Sequence, residues 1–559
     1  MKFNLLRYYV LTLVLVLFII SCNNDDNNSR RGESNISLDQ VVNTLGGTSV
    51  INNITTMMYT VEGQTNEYEE EEPNVSNPIN TSEYVRTVST ELNTRKVRYD
   101  FLSLDIKFPF PFQVDNSTTI INNQKGSYSG NSGFGSHFFG ATAPLPLFSS
   151  RIEAYLKIQK MSNPIELLKQ VIATNDLSSS VSSNFTIPTG IDGLNITLVI
   201  DQNTSLPKSA QVTEVDFING DVVFEVNYEE WKTVGETMFP GKLTHTFNGE
   251  VIKVEELSNI EMNPTFTEAT FTPENTDGDY IDEQGEFGIY SSWWYERFNA
   301  LGFVNSFDQP LNNGAVTTPT GPNVADQTIG PNLKIIGRAD VGSWSVAIKT
   351  STGVVVVEPP LNPRWTRSII NTIKNDAFPG EKIEGVIVTH THFDHFGGVR
   401  ELAQESGKVY VGEEGVGLTE RVLTNHSSLL PDALAINPTT NVEVEGISDV
   451  TTLDGGAIQI YLLKTELLGL NSHSENIVAV YVPESESFIV SDLFNAGGFV
   501  AVAAGLGATN FNEESKSIIA ERATYLLDYI AEKELVVSNV IAIHNGVATL
   551  ADLQFMANL

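Results

Sequence analysis

From residue 37 to 273 the chain reads as β-structure, in apolar–polar runs separated by turn residues. Gln211 to Ile218 and Asp221 to Tyr228 flank Asn219-Gly220. Leu243 to Phe247 and Glu250 to Glu255 flank Asn248-Gly249. Each set reads as a hairpin around a two-residue turn that favours positive φ. In the second, Leu243, His245 and Phe247 share one face, with Thr244 and Thr246 on the other. Leu194 to Ile200 adds a strand, and Ile165 to Ala173 an amphipathic helix. Residues 274–332 are rich in Gly, Pro, Asn, Asp and Thr and predict a joint. Its Trp293-Trp294-Tyr295 run suits docking of one domain on the other, since aromatic rings dominate interface burial.

Past Leu333 the pattern changes to short continuous apolar runs interleaved with helical periodicity. Val354 to Val357, Ile383 to Thr389, Val409 to Val411, Ile458 to Leu463, Ile477 to Val482, Ser487 to Ser491 and Val540 to Ile543 predict strands. Asn362-Pro363 opens a helix to Lys374, with an N-cap and a proline in the first turn. Further helices are expected over Gly398 to Gln404 and Glu513 to Glu532. This interleaving predicts an α/β domain over 333–559.

The length, 559 residues, fits two to four domains at about 150 residues each. A net charge of −36 argues against nucleic acid, whose phosphates need a basic surface, and favours cations. The chain has one cysteine, so disulfide frameworks and cysteine-built zinc sites are excluded. That cysteine, Cys22, has a distinctive position. Lys2 and Arg7 precede an uncharged apolar run, Tyr8 to Ile20, too short to span a bilayer. The run leads into Ile19-Ile20-Ser21-Cys22, which resembles a bacterial lipobox. The resemblance implies cleavage before Cys22, acylation of its thiol and a membrane anchor. Residues 1–22 are then the signal and lipobox, and 23–36 a polar tether. The acidic pair Asp25-Asp26 resembles the export signals of Bacteroidetes lipoproteins, which implies an outer-membrane lipoprotein of the bacterial envelope. The hairpin order of 37–273 resembles the half-barrel lipoprotein-carrier fold, an antiparallel sheet curved around an apolar groove; a scaffold for the second domain is the alternative role.

The chemistry concentrates after the strand ending at Thr389, in His390-Thr391-His392-Phe393-Asp394-His395-Phe396-Gly397-Gly398. Two histidines two apart at a strand end point the same way and can hold one ion; Asp394 and His395 can hold a second. His473, Asp492 and His544 stand at other strand edges. Of eight histidines, only His137, His245 and His426 fall outside these motifs, and they read as core or surface residues. The ordered set His390-x-His392-x-Asp394-His395, His473, Asp492, His544 is similar to the metallo-β-lactamase superfamily, as are Val355-Val356-Val357-Glu358-Pro359 and Phe378-Pro379-Gly380.

That resemblance implies a fold class of α/β plus β, a C-terminal αββα sandwich preceded by the antiparallel β-rich domain. It implies that His390, His392 and His473 hold one ion, that Asp394, His395 and His544 hold another, and that Asp492 bridges them. Glu358 stands where many members have Asp and is expected to orient the ligand loop. A bridging Asp492 is more like glyoxalase II, lactonases and phosphodiesterases than true β-lactamases, and His392 instead of Glu speaks against the flavodiiron branch. The imidazole-rich nitrogen and oxygen donors suit zinc first, two ions per chain, with iron or manganese as alternatives. The implied reaction is hydrolysis of a small-molecule ester, thioester, amide or phosphoester by a hydroxide shared between the ions, with Asp394 orienting the nucleophile or passing a proton. A metal-dependent oxidoreductase of the same fold and an apolar-ligand-binding envelope lipoprotein are the alternatives.

Overall fold

The computed structural model describes residues 36–67, 79–106, 112–114, 116–130, 142–147, 149–190, 194–274, 292, 329–338, 343–437, 441–465, 468, 474, 476–494, 513–544 and 546–559. Cys22 and its signal, the Trp293-Trp294-Tyr295 run, His137 and His473 lie outside the described residues. No described helix is long and apolar enough to cross a membrane.

The N-terminal part opens on two short helices, α1 (Leu38–Thr44) and α2 (Thr48–Asn53), within the stretch expected to be β-structure. A capping box between Ser37 and Gln40 starts the first. A sheet of thirteen strands follows among the described residues, antiparallel throughout, with β1 (Thr56–Glu67) beside β2 (Ile79–Glu91) near its middle. One face is covered by α3 (Ser149–Met161) and α4 (Pro164–Thr174). Asn163 caps α4 through the amides of Ile165 and Glu166. Helix α3 has no counterpart in the sequence reading. The covered face also carries charge. Glu255 accepts from the Tyr84 hydroxyl at 2.5 Å and from Arg86 at 2.6 Å, with His245 at 3.2 Å. Burial opposes its ionisation, but Lys253, Arg86 and His245 outweigh burial and hold it well below the usual carboxylate range.

The two hairpins differ at their turns. In β3 (Pro207–Asp216) and β4 (Gly220–Glu229), Asp216 lies opposite Gly220, so the loop has three residues and not the expected two. Asp216 is the reason: its Oδ1 accepts from the amides of Ile218 and Asn219, and Gly220 then takes the positive φ of 78°. In β5 (Lys242–Phe247) and β6 (Glu250–Met262), Phe247 faces Glu250 across the expected two-residue turn, with Asn248 and Gly249 both at positive φ.

The C-terminal part has two six-stranded sheets. The first is β7 (Leu333–Arg338), β8 (Ser343–Lys349), β9 (Val354–Val357), β10 (Ile383–Ile387), β11 (Lys408–Gly412) and β12 (Glu443–Ile447), in chain order and parallel from β9 onward. The second is β13 (Val450–Leu453), β14 (Ile458–Lys464), β15 (Asn476–Val482), β16 (Ser487–Ile489), β17 (Asn539–Ala542) and β18 (Gly546–Thr549). Trp344, Val346, Val355 and Ile387 meet Ile460, Val478 and Ile541 between the sheets. On the outer side of the first sheet, Val356, Val386 and Val388 pack under helix α5 (Pro363–Thr372) and helix α6 (Val399–Ser406). On the outer side of the second, Phe488 and Val540 pack under α7 (Glu513–Glu532) and α8 (Leu550–Met556). The layers run helix, sheet, sheet, helix, and the all-valine β9 is apolar because both its faces are covered. Helix α5 ends at Thr372 and passes into a wider turn, Ile373–Ala377, rather than continuing as α-helix to Lys374.

The buried Glu166 of α4 carries a pH signature. Burial raises its carboxyl from 4.5 to about 7, against the Asn93 amide and Lys160 and Lys169, which lower it. The folded chain therefore holds this proton more tightly than the unfolded one. The stabilisation is full below the unfolded value and is lost as pH rises through the folded value, by an upper bound of about 3 kcal/mol. Glu166→Gln is expected to unfold at higher urea than the unaltered chain at mildly alkaline pH, with the gap closing in acid. Parallel urea midpoints across that range would refute the assignment.

Candidate metal centre

The site lies at one edge of the sandwich, where strands of both sheets end. Strand β10 stops at Ile387, and the chain then stays tied to both sheets: Val388 donates to the Tyr410 carbonyl and Val478 to that of Thr389. His390 and His392 follow in this extended exit. A single helical turn, Phe393–Phe396, carries Asp394 and His395, closed by the His395 amide on the His392 carbonyl at 2.9 Å. Asp492 sits in a tight turn just after β16, and His544 two residues after β17.

These elements bring four groups together. His395 Nε2 lies 3.1 Å from Asp492 and 3.5 Å from Asp394, while His544 Nε2 lies 3.1 Å from Asp394 and 3.4 Å from Asp492. The two Nε2 atoms are 3.1 Å apart. One ligand atom from each of Asp394, His395, Asp492 and His544 falls within 4.8 Å of all the others. Two imidazole nitrogens and two carboxylate oxygens at such spacing suit Zn²⁺, which takes nitrogen and oxygen ligands tetrahedrally. His390 stands beside them, its ring 4.1 Å from that of His395 and 4.4 Å from that of His392. Six of the seven metal ligands expected from the sequence thus converge on one place; the seventh, His473, is outside the described residues.

Glu358 organises this cluster from behind. It is fully buried just after β9 and adopts a positive φ of 75°, which a side chain bears only under compulsion. Its carboxylate accepts from Thr389 Oγ1 and, at 3.4 Å, from Ser491 Oγ, and it lies 3.2 Å from His395 Nδ1. Engaging Nδ1 fixes the ring so that His395 Nε2 faces Asp394 and Asp492. Glu358 also comes within 4.8 Å of donor atoms of His390 and His395. Its oxygens already meet two hydroxyls and Nδ1, contacts that suit a residue orienting the ligand loop. Ser491, also at positive φ, and Thr389 join each other at 2.7 Å.

The carboxylates set the protonation of the imidazoles. Burial disfavours a charged His395, but Asp492, Asp394 and Glu358 outweigh it and hold its pKa well above the ordinary value. His544 is lifted to about 10, burial again opposing and Asp492 and Asp394 prevailing. Burial would raise Asp394, yet the two imidazoles keep it well below the carboxylate range. An excess of negative charge thus faces the imidazole nitrogens, the condition that favours a cation. The sequence reading missed Thr389, Ser491 and Arg522. Arg522 is buried on α7; burial pushes it down to about 10, against the attraction of Asp492. None of the three carries a motif. Thr389 and Ser491 are marked only by adjacency to His390 and Asp492. His245 and His426 stay outside the site.

Glu358→Ala removes the acceptor that fixes His395. Zinc affinity, read by chelator competition, is expected to fall 10–100-fold, the usual effect of losing such a partner. Unchanged affinity would mean that Glu358 is a passive core residue.

A family profile described as Metallo-beta-lactamase superfamily matches residues 338–504. Solved structures resemble the chain at low identity. The DIM-1 metallo-beta-lactamase is 17% identical, with 41% of this chain and 92% of that chain covered and a TM-score of 0.28. FIM-1 from Pseudomonas aeruginosa, in its mono-zinc form, is 18% identical over 39% and 82%, with a TM-score of 0.27. A metallo-beta-lactamase from Pontibacter korlensis is 15% identical over 39% and 86%, with a TM-score of 0.26. No curated protein matches the chain. The family match, the helix–sheet–sheet–helix layers and the histidine–aspartate cluster at their edge agree: behind a large antiparallel β-rich domain, residues 338–504 match the metallo-β-lactamase superfamily.

Proposed function

We propose that the C-terminal domain is a metal-dependent hydrolase that holds two zinc ions and cleaves an ester, thioester, amide or phosphoester in a small molecule. The observation that carries this reading is the convergence of Asp394, His395, Asp492 and His544 within 4.8 Å, beside His390. His390, His392 and His473 are assigned to one ion and Asp394, His395 and His544 to the other. When bound, zinc supplies Lewis-acid activation of water near neutral pH. The protein's own groups do the rest. Asp492 reaches His395 with one carboxylate oxygen and His544 with the other, which sets it against the ligands of the second ion, and it is assigned as the bridge to the first. Asp394 Oδ2, at 3.1 Å from His544 Nε2, is placed to orient the nucleophile or pass a proton. Glu358 keeps His395 in one tautomer.

Metal analysis of His392→Ala beside the unaltered chain tests this. Two zinc ions per unaltered chain are expected. The variant is expected to lose zinc and at least about a hundredfold of its hydrolysis of generic esters, the upper end of what orienting partners alone contribute. Equal metal content and equal hydrolysis would sink the reading, and a single iron per chain would favour oxidation.

We further propose that the chain is an outer-membrane lipoprotein anchored through acylated Cys22. Support comes from the placement of this one cysteine behind a short apolar run and before a polar tether. Each buried acyl CH₂ contributes about 0.8 kcal/mol, so several chains hold firmly. Cys22→Ala is expected to move the protein from the membrane fraction to the soluble one. Retention of the variant on membranes would contradict it.

A further inference from the structure

The tip of the β3–β4 hairpin reaches out of the N-terminal sheet and enters the core of the metallo-β-lactamase domain. Val215, Phe217 and Ile218 share one apolar cluster with Leu361, Phe393 and Phe396. Phe217 lands at a sensitive point. The stretch that begins at Glu358 is laced to the ligand loop by two backbone bonds, Leu361 N to Asp394 O at 3.0 Å and Gly398 N to Pro359 O at 2.9 Å. A Cβ added at Gly397 would stand 2.1 Å from the Leu361 carbonyl oxygen and 2.7 Å from Phe217 Cε2. The phenyl ring therefore rests on the junction of these two segments, two residues beyond His395.

The hairpin is held there on purpose-shaped contacts. Gly220 lies so close to the C-terminal domain that a Cβ would come within 2.8 Å of the His426 carbonyl oxygen. Asp221 accepts from Ser427 Oγ at 2.6 Å, Ser428 Oγ at 2.5 Å and the Ser428 amide at 3.0 Å. Asp216 fixes the loop between these anchors from within. A cavity of about 390 Å³ runs along the seam, but its charges answer one another: Arg400 grips Asp432, and Arg367 meets Glu401 at 2.9 Å. It is the edge of a docking surface.

We propose that the β3–β4 hairpin supports the metal centre, with Phe217 as the positioning residue for the turn that bears His395. The inference rests on the metal-site reading above. Phe217 acts by filling the space behind Gly397, so that Asp394 and His395 hold their geometry before a cation arrives. Removing the ring leaves a void into which the turn can relax, and a site loosened by about an ångström binds and reacts poorly.

The test compares zinc affinity by chelator competition in the full chain, at temperatures where each variant is folded. Phe217→Ala is expected to lose about tenfold, the scale of an outer support of a metal ligand. Phe185→Ala removes a comparably buried ring from the strand Asn184–Pro188, at the edge of the same sheet two strands from β3 and outside the cluster that holds Phe217, and is expected to bind zinc as the unaltered chain does. Should Phe217→Ala fail to fold, Phe217→Leu replaces it, with a loss of about threefold expected. Zinc binding by the unaltered chain with equal binding by the Phe217 variant overturns the hairpin's role alone. An equal loss in Phe185→Ala also overturns it, since general destabilisation would then suffice. No zinc binding by the unaltered chain overturns this inference together with the metal-site reading.

Discussion

One buried carboxylate joins both halves of the sandwich. Glu358 leaves β9 of the first sheet, accepts from Thr389 beyond β10, and accepts again from Ser491 beyond β16 of the second sheet. It engages His395 with its other oxygen. The cluster of ligands cannot form on either sheet alone, because His395 belongs to one and Asp492 and His544 to the other. Assembly is costly. Three carboxylates face His395, and like charges repel more strongly as water is excluded. The dry interface of Trp344, Val355, Ile387, Val480 and Ile541 provides the rigidity that keeps them together. Positive φ at Glu358, Leu361 and Ser491 is the local strain of the same arrangement.

How far the sequence discloses this follows from which signals are local. The group His390 to His395 is dense enough to need a chemical reason, and the apolar run before it marks a strand end. Asp492 and His544 are each found the same way, as polar residues directly after buried strands. Thr389, Ser491 and Arg522 escape because hydroxyls and a single helical arginine are common in any context. Helix α3 escapes for a different reason. It buries Arg151 and Lys157 along with Ile152 and Ile158, so polarity along it does not report burial. The first hairpin turn was misjudged because Asn219-Gly220 is a strong two-residue signal, and only the side chain of Asp216 redirects it.

The β-rich domain shows a comparable use of buried charge. Glu255, Arg86, His245 and Lys253 meet on the face covered by α3 and α4. Replacing such groups with apolar ones often stabilises a protein, so their presence points to geometry more than to strength. The result is a covered face that is only partly apolar, which bears on the comparison with a lipid-carrying groove.

Strand β3 is where the two domains become one machine. Glu214 near its end pairs with Lys157 of α3 and accepts from the amide and hydroxyl of Ser292, each at 2.6 Å. Ser292 belongs to the joint between the domains, so the covalent connection is pinned to this strand. Two residues later Asp216 folds the turn, and Phe217 follows into the C-terminal core. The chain thus reaches the metallo-β-lactamase domain twice from one place, once through its backbone and once through the hairpin. Two attachments fix an orientation that one flexible linker would leave open. An N-terminal sheet fixed in this way serves as structural backing for the turn that carries Asp394 and His395.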